Sequence, residues 1–446
     1  MRKLFGTDGI RGRANQFPIL PEIILKVGQA LGYILTQKSA KNKKQMVLIG
    51  KDTRLSGYML EQALASGLNS MGVWVQLTGP LPTPGIGFLA QNMRTDAGVI
   101  ISASHNLYQD NGIKIFGADG FKISDEMQQQ IEEFVWSDSL QPVSEVGRTR
   151  RIDDAAGRYI VFVKRTFPPQ LSLDGLKLVL DCANGAAYRV APAIFEELGA
   201  ELIVIGNEPN GYNINKDCGA TVPKNIQKAV LEHQAHAGIS LDGDGDRIVM
   251  VDEKGSILNG DHILGLSALY LKKTRSIKKV VSTHMANTGL EKLLSKNGIE
   301  LVRVDVGDRN IMKHMLSEKI ILGGEPSGHI IFSEHSCTGD ACIAALNVLA
   351  VMISENKKLS DLIEEIEDVP QIVDQVPIKK RVPIEELPGY SSLASRLNER
   401  LEDKGRFHIR FSGTEPLARV MVEGEDEKTI HACAEEITHF LQSHLN

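Results

Sequence analysis

A serine hydroxyl at the end of an apolar strand is the first group in this chain with chemistry to perform. Ser104 lies in ISASHNLYQDNGIKIF, directly after the apolar run GVIIS. Its hydroxyl therefore falls on a loop at the carboxyl end of a strand, where open α/β sheets place their ligands. Such a hydroxyl is a poor nucleophile unless a base or a cation assists it. Taken alone, SASHN to DNG is equally a polar turn whose Ser, Asn and Asp side chains satisfy the backbone. His105 is its neighbour in sequence, which leaves its place in space open.

SLDGDGDRIVMVDEKG sets Asp242, Asp244 and Asp246 two residues apart, with Gly243 and Gly245 letting the loop fold all three carboxylates around one point. Three hard oxygen donors with few others suit Mg²⁺, which keeps coordination positions for water or phosphate oxygens. Glu253 falls at the twelfth position of an EF-hand calcium loop, but the sixth position, which that loop needs as Gly, is Arg247. The flanks AGISL and IVMVD also read as strands rather than helices. A solvated acidic hairpin is the remaining alternative, against the repulsion of three close carboxylates without a cation.

LGGEPSGHIIF places Glu325, Ser327 and His329 on a glycine-flanked loop between apolar runs, suited either to bonding sugar hydroxyls or to a capped turn. IRFSGTEPLARVMVE offers Arg410, Ser412, the backbone around Gly413, Thr414 and Arg419. Guanidinium forks, hydroxyls and free backbone N–H groups form a phosphate cradle, though SGTEP is also a fair helix N-cap. FGTDGIRG adds Arg11 beside a Gly-rich turn.

The elements that must position these loops follow an α/β rhythm. Strands at Met46–Ile49, Val73–Leu77 and Gly98–Ile101 flank a helical pattern (Leu60, Ala63, Leu64, Gly67, Leu68, Met71) that Gly72 stops. KLVLD, ELIVI and AGISLD alternate with helices at Ala191–Leu198 and after Pro223, and KKVVS and IELVRV with helices from Asn287 and near Asp308–Leu316. A long apolar pattern follows from Ala341 to Ile353. Three similar units in largely parallel sheet suggest an internal triplication resting on shared rhythm. From Val369 the texture changes to a Pro-punctuated linker, a helix over Ser392–Leu401, strands RFHIRF and ARVMVE and a closing helix, a small α+β domain.

With 446 residues the chain exceeds one core, since single domains hold roughly 100 to 200 residues. Apolar residues make up 42% and charged residues 24%, and no run approaches the ~20 apolar residues of a membrane span. The N-terminus MRKLFGTDGIRG holds no apolar run long enough for an export signal, so the sequence predicts a soluble cytoplasmic protein. A net charge of −6 argues against nucleic acid and for a small ligand. Cys182, Cys218, Cys337, Cys342 and Cys433 form no CxxC pair, and an odd count suits reduced thiols.

Together these segments resemble the α-D-phosphohexomutase family, whose members share a phosphoserine loop, a DGDGDR metal loop, a GE-x-SGH sugar loop and a C-terminal SGTEP phosphate loop. FGTDGIRG, DCANGAA at 181–187, VGDR at 306–309 and SGTEPLARVMVEG are most similar to the members that act on amino-sugar phosphates. The resemblance implies an α/β fold of three related domains with mixed, largely parallel sheets (1–155, 156–254, 255–368) and a small α+β domain (369–446) around one central cleft. It implies phosphorylation of Ser104, Mg²⁺ held by Asp242, Asp244, Asp246 and a phosphate oxygen of that serine, and Glu325 and Ser327 on the sugar hydroxyls. Arg410, Ser412, Gly413, Thr414 and Arg419 would hold the phosphate that is not transferred. Arg11, Lys114 and His329 would steer the transferring group or carry its proton, with His105 and Arg247 beside them. The expected reaction moves phosphate between the 6 and 1 positions of a sugar phosphate, primed by glucosamine 1,6-bisphosphate, for amino-sugar nucleotide and cell-wall synthesis. Glucose and mannose phosphates, or hydrolysis by a sugar phosphatase, are the alternatives.

Four positions depart from the family pattern. Leu107 stands where SHNP has proline, Phe411 where Arg-Pro precedes SGTEP, Asn310 where VGDR is followed by Tyr, and Pro326 where the amino-sugar members commonly carry Gln. The first two remove a fixed φ from their loops. The sequence leaves the oligomeric state open, a homodimer included.

Overall fold

The computed structural model describes residues 3–6, 8–37, 44–137, 139–412 and 416–445. Its strands form four sheets. In the first, Met46–Lys51, Trp74–Pro80, Ala97–Ile101 and Thr149–Arg151 run parallel, and Asp110–Gly117, Gly9–Arg13 and Phe5–Gly6 extend the edge antiparallel. The second joins Lys177–Asp181, Glu201–Ile205 and Ala237–Leu241 in parallel to Ile248–Asp252 and Ile257–Leu258 in antiparallel sense. The third repeats the scheme, with Lys279–Thr283, Glu300–Val304 and Leu322–Gly324 parallel and Ile330–Phe332 antiparallel. Every residue of Ala97–Ile101 and Ala237–Leu241 is buried. Strands covered on both faces read as unbroken apolar runs, which is why these were legible.

The fourth sheet is wholly antiparallel, in the order Gln371–Pro377, Leu417–Gly424, Gly405–Phe411. The proline-rich stretch after Val369, expected as a linker, is thus an edge strand in which Gln371 faces Glu423 and Pro377 faces Leu417. Its prolines, Pro370 and Pro377, fall just before and at the end of the strand, positions on a sheet edge where a missing N–H breaks no inner ladder. Helices at Pro21–Gln37 and Asp125–Trp136, which the sequence reading did not delimit, complete the first unit, and the equally undelimited Ala155–Lys164 leads into the second.

One apolar core runs through the three α/β units, from Leu48 through Leu180 and Ile248 to Leu349, whereas the last domain packs a core of its own around Leu397, Val422 and Ile437. The helix Ala341–Glu355 lies inside the shared core, hydrophobic nearly all round as a central helix must be. Its N-cap is Asp340, which accepts from the Ile343 N–H at 3.0 Å and from the Tyr159 hydroxyl at 2.8 Å. None of the helices among the described residues is long and apolar enough to cross a membrane.

Burial pushes Asp340 up from 3.8 to about 6, against the opposing bonds from Ile343 and Tyr159. A raised folded-state value means that this group's contribution to stability is complete below the unfolded value and is lost as pH climbs through the folded one. Asp340→Asn keeps an acceptor for both donors and cannot ionise. Thermal unfolding of the two proteins side by side should therefore show the variant's midpoint gaining on the wild type as pH rises from about 4 to about 6, with no further gain above.

Candidate active site

The three α/β units present their chemistry through the same device. In each, the parallel strand bordering the antiparallel part of the sheet turns into its antiparallel neighbour, and the turn carries the candidate loop. Ala97–Ile101 leads through Ser104 to Asp110–Gly117, Ala237–Leu241 through the Asp loop to Ile248–Asp252, and Leu322–Gly324 through Glu325 and His329 to Ile330–Phe332. The return strand after Ser104 was not delimited from sequence, because DNG imitates a free turn.

Ser104 is buried and sits at φ +51°, the left-handed region that non-glycine residues seldom occupy. Its hydroxyl donates to Asp242 Oδ2 at 2.6 Å, and His105 Nδ1 lies 3.4 Å from Ser104 Oγ. Asp242, Asp244 and Asp246 bring carboxylate oxygens within 4.8 Å of one another, all three buried. Asp244 Oδ1 and Asp246 Oδ1 have no hydrogen-bond partner among the described residues. Burial and the two neighbouring carboxylates push Asp242 well up. Asp246 goes the other way: burial opposes its charge, but Lys114, His329 and Arg247 outweigh it and hold the carboxyl well below its usual range. Converging hard oxygens with orphaned lone pairs are suited to a divalent cation.

Lys114, from the return strand, reaches Asp244 at 3.1 Å, Asp246 at 3.3 Å and Asp8 at 3.4 Å. Burial alone would discharge it, yet these carboxylates raise its value above the ordinary lysine range. Asp8 also pairs with Arg11 and Lys122, and Lys122 continues to Asp308 at 2.5 Å. His329 stands between Asp246 at 3.8 Å and Asp308 at 3.7 Å, and its Nε2 accepts the Gly339 N–H at 2.9 Å. His105 is pushed down to about 4 by burial and by Arg247 and Arg11, so its ring is neutral at pH 7. Arg247 lies 4.0 Å from Asp246, and its N–H donates to Asp242 Oδ1 at 3.2 Å.

A cavity of about 550 Å³ joins this cluster to the other predicted loops, with Asp246, Arg247, Glu325 and His329 on one wall and Arg410, Ser412 and Arg419 on another. Glu325 accepts the Gly307 N–H at 3.1 Å and the Ser327 hydroxyl at 3.0 Å, which ties the GEPSGH loop to VGDR. Arg410 and Arg419 face one another across the antiparallel ladder. Burial and the adjacent Arg419 charge lower the Arg410 value. Two guanidinium groups set side by side in this way are suited to holding an anion between them. Gly413 and Thr414 lie outside the described residues.

Of the four departures, Phe411 packs onto the core of the last domain, so alternation along Gly405–Phe411 turns Phe407, Ile409 and Phe411 inward. Asn310 donates to the carbonyls of Asp305 and Val306, closing its own loop. Pro326 gives its carbonyl to the Gly260 N–H. Leu107 is half exposed. Sequence reasoning passed over Asp8, Lys122, Asp308, Arg54 and Asn215. FGTDGIRG contains Asp8 and VGDR contains Asp308, two of these five, but nothing in their spacing signals the contacts they make.

Residues 2–141 match phosphoglucomutase/phosphomannomutase alpha/beta/alpha domain I, 158–255 domain II, 259–369 domain III and 356–440 the C-terminal domain of the same family. The chain belongs to the phosphoglucomutase/phosphomannomutase family. Among its relatives, the phosphoglucosamine mutase of Bdellovibrio bacteriovorus is 55% identical, over 100% of this chain and 99% of that protein. The crystal structure of a phosphoglucomutase/phosphomannomutase family protein from Burkholderia thailandensis superposes with a TM-score of 0.82 at 21% identity, covering 99% and 97% of the two chains. The Aspergillus fumigatus N-acetylphosphoglucosamine mutase, solved in complex with GlcNAc-6P and magnesium, shares the fold at a TM-score of 0.69 and 17% identity, covering 99% and 95%.

Proposed function

We propose that this chain is a phosphoglucosamine mutase, interconverting glucosamine 6-phosphate and glucosamine 1-phosphate through phospho-Ser104 and glucosamine 1,6-bisphosphate. The observation that carries the reading is the Ser104 hydroxyl, 2.6 Å from Asp242 in a buried carboxylate triad whose Asp246 lines a cavity shared with Arg410 and Arg419. One end of that arrangement suits phosphoryl transfer and the other suits holding a second phosphate. The choice of glucosamine rests on the relative's name at 55% identity over the whole chain.

In this reaction the free sugar hydroxyl attacks the phosphoserine, the bond from phosphorus to Ser104 Oγ breaks, and a bisphosphate forms. The bisphosphate turns end for end and returns its other phosphate to Ser104. Asp242, Asp244 and Asp246, with the Ser104 side chain, would hold magnesium, which would supply positive charge against the phosphoryl oxygens. Lys114 and Arg11, held charged by their carboxylate partners, face the same group. His329, between Asp246 and Asp308, is the group of these able to exchange a proton near neutral pH. Glu325 and Ser327 orient the sugar hydroxyls, and Arg410, Ser412, Gly413, Thr414 and Arg419 hold the phosphate that stays. The reading makes this a cytoplasmic enzyme of amino-sugar metabolism with a small-molecule substrate.

Product analysis tests it. Glucosamine 6-phosphate should give glucosamine 1-phosphate faster than glucose or mannose 6-phosphate is isomerised, whereas inorganic phosphate as the main product would mean a hydrolase. Arg410→Ala should raise KM more than it lowers kcat, because that contact serves ground and transition states alike. The variant should also need more added bisphosphate to stay active, since a weak grip lets the intermediate escape. Steady-state kinetics with and without bisphosphate would show the opposite pattern, a large fall in kcat at constant KM, if Arg410 took part in the chemistry.

A further inference from the structure

Two backbone carbonyls of the Ser104 loop are each bonded by the same two side chains. Arg54 Nη2 donates to Ser104 O at 3.1 Å and to Asn106 O at 2.5 Å. Asn215 Nδ2 donates to the same two oxygens, both at 2.8 Å. An amide nitrogen carries two hydrogens, enough for both bonds. Arg54 is fully buried on the first domain and its charge is balanced by Asp52, whose other oxygen accepts the Arg54 N–H at 2.9 Å. Asn215 is 3% exposed, comes from the second domain and is itself at φ +57°. A Cβ added at Gly243 would stand 2.6 Å from both Asn215 Nδ2 and Ser104 O, so the amide and the carbonyl are pressed against the backbone of the Asp242 loop.

We infer that Asn215, working with Arg54, is a positioning residue for phosphoryl transfer: it fixes the Ser104 loop in register with the Asp242 loop. Asn215 touches neither Ser104 Oγ nor the cleft wall, so it acts through the left-handed backbone of Ser104, which two pairs of donors hold where one residue's own preference would not. The inference rests on Ser104 as the phosphoryl carrier. Once the loop is freed, the phosphoserine meets water: a water oxygen bonds phosphorus, the bond to Ser104 Oγ breaks, a water proton passes to that oxygen, and inorganic phosphate leaves.

Asn215→Asp and Asn215→Ala test this. The first keeps size, shape and tolerance of the left-handed backbone but turns the donors into acceptors facing two carbonyls. Both variants should lose on the order of 100-fold in kcat, the cost of misplacing a reacting group by about 1 Å. KM should stay within about twofold, since no substrate contact is removed. Phosphate released per sugar isomerised should rise in both. A role in shape alone predicts an Asn215→Asp enzyme close to wild type. That result, a loss confined to KM, or an unchanged phosphate ratio in a folded Asn215→Ala enzyme overturns the inference. Ser104→Ala run in parallel keeps the two readings apart: turnover retained there overturns the carrier itself, while turnover lost there with a normal Asn215→Asp enzyme overturns only the clamp.

Discussion

Ser104→Ala is expected to lower turnover by several orders of magnitude and leave the fold intact. The hydroxyl is the atom that would carry the phosphoryl group, and removing an essential nucleophile costs about that much. The loop keeps its shape, because Arg54 and Asn215 grip the carbonyls of Ser104 and Asn106, which alanine retains. What is lost from the folded state is the bond to Asp242, and a buried acceptor left unpaired costs roughly 1 to 3 kcal/mol. The thermal midpoint should therefore fall by a few degrees while the cooperative transition persists. Intact mass should show one phosphate on the wild-type protein after incubation with bisphosphate and none on the variant. Retention of more than about a hundredth of the wild-type rate would exclude a covalent role.

Asp244→Asn should be the next most damaging change. Asp244 Oδ2 accepts from Thr83 at 2.6 Å and from Lys114 at 3.1 Å, while Oδ1 is buried without a hydrogen-bond partner among the described residues and would be open to a metal ion. Asparagine preserves the outline and an acceptor for Thr83 but replaces one of three charged donors by a neutral one. Turnover should drop on the order of 100-fold or more, the scale of losing one fixed charge opposed to a transferring phosphoryl group. A second readout is independent of activity. Added Mg²⁺ should raise the wild-type unfolding midpoint through binding to the native state, and the variant should need a far higher concentration for the same rise. Wild-type turnover that survives exhaustive chelation, or identical Mg²⁺ titrations of the two proteins, would rule out the metal role.

Much of the fold was legible because its inner strands, such as Ala97–Ile101 and Ala237–Leu241, are buried on both faces, and the half-exposed edge strand Glu201–Ile205 keeps an apolar run as well. KLVLD and ELIVI occupy Lys177–Asp181 and Glu201–Ile205 as expected, and Asn287 caps the helix that begins at Thr288 through its side-chain bond to the Gly289 N–H. Strands with turn-like or proline-bearing sequences escaped, such as Asp110–Gly117, whose opening DNG imitates a turn, and Gln371–Pro377, whose exposed edge tolerates the prolines that suggested a linker.

The site divides along the same line. Residue type and local spacing marked Ser104, the three aspartates, Arg410 and Arg419 as candidates, because each proposed group is built from residues close together in the chain. The sequence could also assign a family, since the order of those loops is itself a pattern. Which charges stand opposite one another was decided only by the tertiary structure. Lys122 bridges Asp8 and Asp308, 114 and 186 residues away in the chain, and Asn215 reaches the carbonyl of Ser104 across 111 residues. Contacts of that span depend on how three domains pack on a shared core, where burial removes water and makes each unpaired charge costly, and no local run of residues encodes that geometry.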